Sequence, residues 1–265
     1  SSLESYQKAL SLESDFSIIH LKMGVLHQFE LQHPHLALEH YHQCIALQGS
    51  NHKYSHAFVN RGHLHMDSGK FELALDDFTE AIVIDARQAG NYFYRANVHA
   101  QLAHTEEALK DYSTTIQLNA SHAQAYINRG LVRFENAQDF EGALEDFSQA
   151  IELQPNSVLP YVFRGDLNRI HFRALPAALE DYNKAVKLAT EEYRPSILVS
   201  RALLHDMMQN SENCLADLNE SIELDPQNEE TLLIRSTYHF QHMHLEECLK
   251  DVNQALGINP DSTEA

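Results

Sequence analysis

A small residue recurs along this chain at near-constant intervals, and few other features restrict a fold so tightly. Gly24, Gly62, Ala96, Gly130, Gly165, Ala202 and Ser236 are separated by 38, 34, 34, 35, 37 and 34 residues. Each is followed 12 or 13 residues later by a second small residue: Ala37, Ala74, Ala108, Ala143, Ala178, Cys214 and Cys248. Four residues further on stands a large one (Tyr41, Phe78, Tyr112, Phe147, Tyr182, Leu218, Val252), and three beyond that a third small one (Cys44, Ala81, Thr115, Ala150, Ala185, Ser221, Ala255). Separations of three, four and seven fall on one face of an α-helix, so each unit is predicted to be two amphipathic helices joined by a short turn. Small residues let helix axes approach closely, and the large one fills the adjacent gap. Pro155, Pro226 and Pro260 close three of the units, where a helix has to stop.

The period near 34, the small-large-small spacing and the terminal proline resemble the tetratricopeptide repeat, and the resemblance covers essentially the whole chain. It assigns a half repeat to residues 1–14 and full repeats to about 17–50, 55–88, 89–122, 123–157, 158–192, 195–228 and 229–262, in one solenoid domain over 1–265. The implied fold is all-α: a right-handed superhelical solenoid of antiparallel helix pairs, with the first helix of each pair lining a concave groove. The tryptophan usual near the start of the first helix is replaced by His20, Phe58, Tyr92, Tyr126, Tyr161, Leu198 and Leu232. The insertions "QGSNHKY" at 48–54 and "TEEYR" at 190–194 fall where turns are expected.

Immediately before the first small residue stands Met23, then Arg61, Arg95, Arg129, Arg164, Arg201 and Arg235. Sixteen or seventeen residues later, in the second helix, stand His40, Asp77, Asp111, Asp146, Asp181, Asp217 and Asp251. Six repeats carry both charges and the first carries neither. That co-occurrence predicts an Arg–Asp pair inside each of the six, in which the carboxylate satisfies a partly buried guanidinium and no ligand is involved. Pairing between repeats would leave Arg61 facing His40 and Asp251 without a partner.

The chain has 19 Lys and Arg against 38 Asp and Glu, a net charge of −19, so no cluster of bases is available to neutralise phosphates and no nucleic-acid partner is expected. No apolar run approaches the roughly 20 residues needed to span a bilayer, so no membrane insertion is expected. Three scattered cysteines make no disulfide framework and point to a reducing, cytoplasmic setting, with the cytoskeleton or a cilium as the alternative. Among 18 histidines, His27, His65, His99, His205 and His239 share one slot per repeat, too far apart to share an ion. The chain lacks an HExxH motif, zinc-spaced cysteines, a nucleophile elbow and a phosphate-cradling loop; the expectation is no metal, no cofactor and no catalysis. It opens at Ser1 in mid-pattern and closes on "INPDSTEA", reading as a segment in which further chain or a partner covers Leu245, Leu249 and Val252.

Function is therefore expected on the groove that the resemblance implies. The register places Phe93, Tyr94, Asn97, Ile127, Asn128, Leu131, Phe134, Val162, Phe163, Asp166 and Ile170 there, with Phe29 and Phe240 on the same face near the ends. Phe93, Tyr94, Phe134 and Phe163 are the expected aromatic anchors, and Asn60 and Asn128 the side chains expected to hold a ligand's backbone. Lys22 and Arg169 are the only bases on the face, against Asp67, Glu135, Asp166, Asp206 and Glu230. That balance argues against a chaperone's C-terminal carboxylate, which the chaperone-binding subclass grips with Lys, Arg and Asn, and favours an apolar or basic peptide segment. The leading expectation is a non-catalytic interaction scaffold in a multiprotein assembly. Two alternatives are the substrate-recruiting arm of an enzyme whose catalytic domain lies outside this chain, and a structural part of a cytoskeletal or ciliary assembly that docks by its convex face and loops.

Overall fold

The computed structural model describes residues 16–48 and 54–260, which contain fourteen α-helices and no strand. The expected half repeat over 1–14, residues 49–53 of the first insertion and the last residues of "INPDSTEA" lie outside the described residues. The chain falls into two compact units, Ser1–Asp139 and Phe140–Ala265. In the first are α1 (Phe16–Val25), α2 (Pro34–Gln48), α3 (Ser55–Asp67), α4 (Phe71–Ile84), α5 (Ala89–Gln101), α6 (Thr105–Leu118) and α7 (Ala123–Val132). In the second are α8 (Phe140–Leu153), α9 (Leu159–Leu167), α10 (Leu175–Leu188), α11 (Arg194–Met207), α12 (Ser211–Leu224), α13 (Glu229–Gln241) and α14 (Leu245–Ile258). Six helix hairpins, one per repeat, lie wholly inside one unit or the other; the two helices of the fourth repeat, α7 and α8, belong to different units.

The spacing difference in the sequence has a structural counterpart. Where the two small residues are 12 apart, the first helix runs straight into its turn. Where they are 13 apart, it ends in a π-helical turn: Leu26–Glu30 after α1, Arg133–Ala137 after α7, Asn168–Phe172 after α9. One extra residue is thus absorbed as a single widened turn, as π-bulges do, and the following helix keeps its register. All seven turns then use one left-handed residue: Gln32, Gly69, Ala103, Gln138, Arg173, Gln209 and Met243. The next amide returns to the carbonyl of the slot three after the small residue, as from Lys70 to His65 at 2.8 Å and from Asn210 to His205 at 2.9 Å. This is a Schellman closure.

Six of the seven left-handed residues carry a Cβ, which that conformation penalises. Ala103 is exposed, with φ of 56°. Ala103→Gly is expected to raise the unfolding free energy by about 0.5–1 kcal/mol, the relief of strain exceeding the entropy that glycine adds to the unfolded chain. Chemical denaturation reads this directly.

Five apolar clusters sit at five of the junctions between repeats inside the two units. Ala37 and Tyr41 pack with Leu64, Ala74 and Phe78 with Val98, Ala108 and Tyr112 with Val132, Ala178 and Tyr182 with Leu204, and Cys214 and Leu218 with Tyr238. Each joins the second helix of one repeat to the first helix of the next. Within each unit the repeats therefore share their core with their neighbours rather than having one each.

Candidate interaction surface

The arginines are built into the hairpins. Arg95 donates from Nε to Oδ2 of Asp111 at 2.7 Å and from Nη2 to Oδ1 at 2.9 Å, and the same two-pronged contact joins Arg164 to Asp181, Arg201 to Asp217 and Arg235 to Asp251. Arg61 holds Asp77 with Nε shared between both oxygens. These aspartates are buried, and two of their guanidiniums lie over an aromatic face one turn earlier, Arg61 on Phe58 and Arg95 on Tyr92. Hydrogen bonding to the carboxylate pushes the arginine pKa further up in Arg95, Arg164 and Arg201. Arg129 and Asp146 sit in different units.

Five of the six arginines, all but Arg61, also reach the preceding repeat with a third arm. Nη1 of Arg95, Arg129, Arg164, Arg201 and Arg235 donates to Thr79, Ser113, Ser148, Asn183 and Asn219 at 3.2, 3.0, 3.1, 2.8 and 2.6 Å. The acceptor always stands two residues after the aspartate of the preceding repeat. One guanidinium thus clamps its own hairpin and ties it to the previous one. In the first repeat Met23 is buried where the arginine would be, and His20 and His40 meet instead, with their Nδ1 atoms 3.0 Å apart.

The shared histidine slot is interior in four repeats, while His99 is half-buried. His27, His65, His205 and His239 are buried, and Nδ1 of His27, His205 and His239 has no hydrogen-bond partner among the described residues. Burial lowers the pKa of all four below the ordinary imidazole value, and for His65, His205 and His239 a nearby aspartate opposes it only in part. The folded state therefore takes up these protons less readily than the unfolded chain. Stability is complete above about pH 6.5, the unfolded value, and is lost as pH falls through the lower folded values. The melting temperature is expected to drop between neutral and mildly acidic pH, and His205→Gln with His239→Gln to flatten that drop; an unchanged slope would contradict it. Among the described residues no group of three or more His, Cys, Asp or Glu is placed to hold a metal.

The first-helix face of each unit is hollowed. In the first unit a cleft of ≈ 640 Å³ is lined by Phe29, His56, Val59, His63, Tyr94 and the carboxylates of Asp67 and Asp85, among others. A neighbouring hollow of ≈ 570 Å³ shares His56 and Asn60 and holds Lys22 and Glu30. A third, of ≈ 440 Å³, is lined by Asn97, Asn128, Leu131 and Glu135. In the second unit Asp206, Leu203, Glu230 and Leu233 line a hollow of ≈ 340 Å³. Five of the six carboxylates named here have no Lys or Arg in the lining of their hollow.

The residues singled out from the sequence divide accordingly. Tyr94, Asn97, Asn128 and Leu131 line hollows. Phe93 is half-buried against Tyr94, Tyr112 and His122, and Phe163 against Phe147. Phe134 is half-buried, Val162 packs on the cluster around Tyr161 and Leu198, and Ile170 is exposed. Ile127 corrects the register reading: it is 2% exposed, because it stands one helical turn before Gly130 on the same inward stripe. Of the two amides meant for a ligand's backbone, Asn60 lines the first two hollows and Asn128 is engaged internally: it donates to Asn97, which also accepts from Tyr112, and accepts from Gln124. Asp166 accepts from the Tyr182 hydroxyl and pairs with Arg169. Among the described residues the most exposed Phe and Tyr side chains are Phe29 and Phe240, 65% and 62%.

Paired helices, a small-large contact inside each hairpin and a hollowed first-helix face define a tetratricopeptide repeat array. The chain belongs to the family described as "ETO1 C-terminal domain", whose model matches residues 1–243. Among curated proteins nothing matches it. Of solved structures, a tetratricopeptide repeat protein from Parabacteroides merdae is 20% identical, covering 93% of this chain and 94% of its own, with a TM-score of 0.70. The C-terminal part of a repeat-containing protein from Cytophaga hutchinsonii is 18% identical over 86% of this chain and 91% of its own, TM-score 0.70. YrrB, described as a TPR protein with an unusual peptide-binding site, is 18% identical over 75% and 98%, TM-score 0.60. At these identities the likeness is one of fold. Folds of this type commonly mediate protein–protein interaction, and no described helix is long and apolar enough to cross a membrane.

Proposed function

We propose that the chain is a non-catalytic protein-interaction module that takes an apolar or basic segment of a partner along its first-helix face. The observation that carries this is the ≈ 640 Å³ cleft of the first unit, where the exposed ring of Phe29 and the edge of Tyr94 stand beside the carboxylates of Asp67 and Asp85. An aromatic floor with two carboxylates and no Lys or Arg in its lining suits a side chain that is apolar along its stem and cationic at its tip, as Lys and Arg are. The volume is in the range of pockets that enclose such groups. YrrB, with the same fold, is described as carrying a peptide-binding site. Buried Cys214, a free thiol, suits a reducing compartment, consistent with a cytoplasmic setting.

The test is selection from a random peptide library, followed by affinity measurement on the wild type and on Phe29→Glu and Asp67→Lys. Selected peptides are expected to combine apolar residues with Lys or Arg, and each substitution to weaken binding about tenfold or more. Acidic selected peptides, or equal binding by the variants, would overturn the reading.

A further inference from the structure

The first repeat is clamped differently from the others. Met23 and His40 hold its positions for the arginine and the aspartate, seventeen residues apart like Arg164 and Asp181, and imidazoles join its helices α1 and α2 instead. Nδ1 of His20 and Nδ1 of His40 are 3.0 Å apart, so one ring donates and the other accepts. His40 also stacks on His27, with ring centroids 5.3 Å apart and planes 17° apart, and His27 stacks on His33 at 5.8 Å. The bond between His20 and His40 survives one proton, which makes it charge-assisted. A second proton has to occupy the acceptor nitrogen and break it. A proton on buried His27 puts charge face to face with His40 across the stack.

Few charges offset this. Glu39 of α2 favours protonation of His20 and His40, but it is exposed, and the aspartate position carries no carboxylate. The groups that bear on His27 are His33 and His35, like-charged when protonated. Lys22 and Glu30 lie toward the neighbouring hollow with His56 of α3, and Arg61 of α3 and Asp77 of α4 bear on His42. Burial lowers the pKa of His20, His27 and His40, and neighbouring rings lower those of His27 and His40 further. The folded repeat therefore binds fewer protons than the unfolded one, so its stability is present above about pH 6.5 and is lost as pH falls through the lower folded values. An arginine–carboxylate clamp has no group that ordinarily titrates in this range. The cleft of the first unit depends on this repeat: Gln28 and Phe29 of its π turn form part of the wall, and Gln28 is held by the Tyr41 hydroxyl of α2 at 2.6 Å. We propose that the imidazole cluster of the first repeat is a pH-operated latch on that cleft: on mild acidification α1 parts from α2, Gln28 and Phe29 leave the wall, and a segment held there at neutral pH is released. The release rests on the cleft reading above, and the opening of the latch does not.

Hydrogen exchange read by mass spectrometry on the whole 265-residue chain tests the latch without a ligand. Between about pH 6.5 and about pH 5.5, after correction for intrinsic exchange, protection in α1, its π turn and α2 is expected to fall about a hundredfold, tenfold for each of two excluded protons. Protection in α5 and α6 is expected to change less than about threefold. Met23→Arg with His40→Asp gives the first repeat the clamp of the others, and His20→Gln with His40→Gln gives it an uncharged one. Each pair is expected to keep the protection at the lower pH, and either suffices if the other does not fold. Peptides selected at neutral pH for the cleft are expected to bind the wild type about tenfold more weakly at the lower pH, as the competent fraction falls, and the variants with less than about threefold loss. The proposal is overturned if α1 and α2 keep their protection, if α5 and α6 lose as much, or if both variants lose as much as the wild type. Equal weakening of peptide binding by wild type and variants would place the pH dependence in His56 and His63 of the cleft and overturn the gating. Failure to select any peptide overturns the cleft reading, while exchange still decides the latch.

Discussion

Asp217→Ala is expected to lower the unfolding free energy by about 3 kcal/mol, the low end for removing one partner of a buried ion pair. The Asp217 side chain is 7% exposed and that of Arg201 18%, so some water reaches the guanidinium and the upper end does not apply. Two donors, Nε and Nη2 of Arg201, lose their acceptor, while Nη1 keeps Asn183 and holds the charge in place. His205, with Nε2 3.9 Å from the same carboxylate, loses its only favourable charge neighbour. In an Arg201→Leu background the same substitution leaves no stranded cation and should cost at least 1 kcal/mol less, a coupling typical of contacting residues. Because repeat arrays can unfold in parts, urea unfolding should be paired with hydrogen exchange in α11 and α12. Equal losses in both backgrounds would refute the pair.

Gly24→Ala is expected to cost about 2–3 kcal/mol by overpacking. A Cβ at Gly24 would overlap the ring of Tyr41, which is fully buried and has its hydroxyl fixed to Oε1 of Gln28 at 2.6 Å, so the ring cannot swing aside. The sixth repeat shows the alternative solution, Ala202 facing Leu218. Gly24→Ala combined with Tyr41→Leu should therefore lose less than the sum of the two single substitutions, read by denaturation. Simple additivity would show that ring and glycine are not matched.

Much of this protein was legible as sequence because its determinants are close along the chain. Recurrence of Gly24-like and Ala37-like positions fixes helix pairs through the 3.6-residue period. Alternation of 12 and 13 between them locates the turns, though not that the longer spacing becomes a π turn. An arginine and an aspartate sixteen or seventeen residues apart meet because a short hairpin places them opposite each other. The third arm of the arginine was not legible: Thr79, Ser113, Ser148, Asn183 and Asn219 look like ordinary surface residues until the next repeat delivers a donor. Exposure on the first-helix face was not legible either. A register identifies which residues share a stripe, but the stripe is wider than the groove, and neighbouring helices decide which part of it water sees. That is why Ile127 is buried, why Asn97 and Asn128 bind each other, and why the open rings are Phe29 and Phe240 instead of those at the centre. Periodicity is a property of one helix, and accessibility is a property of several.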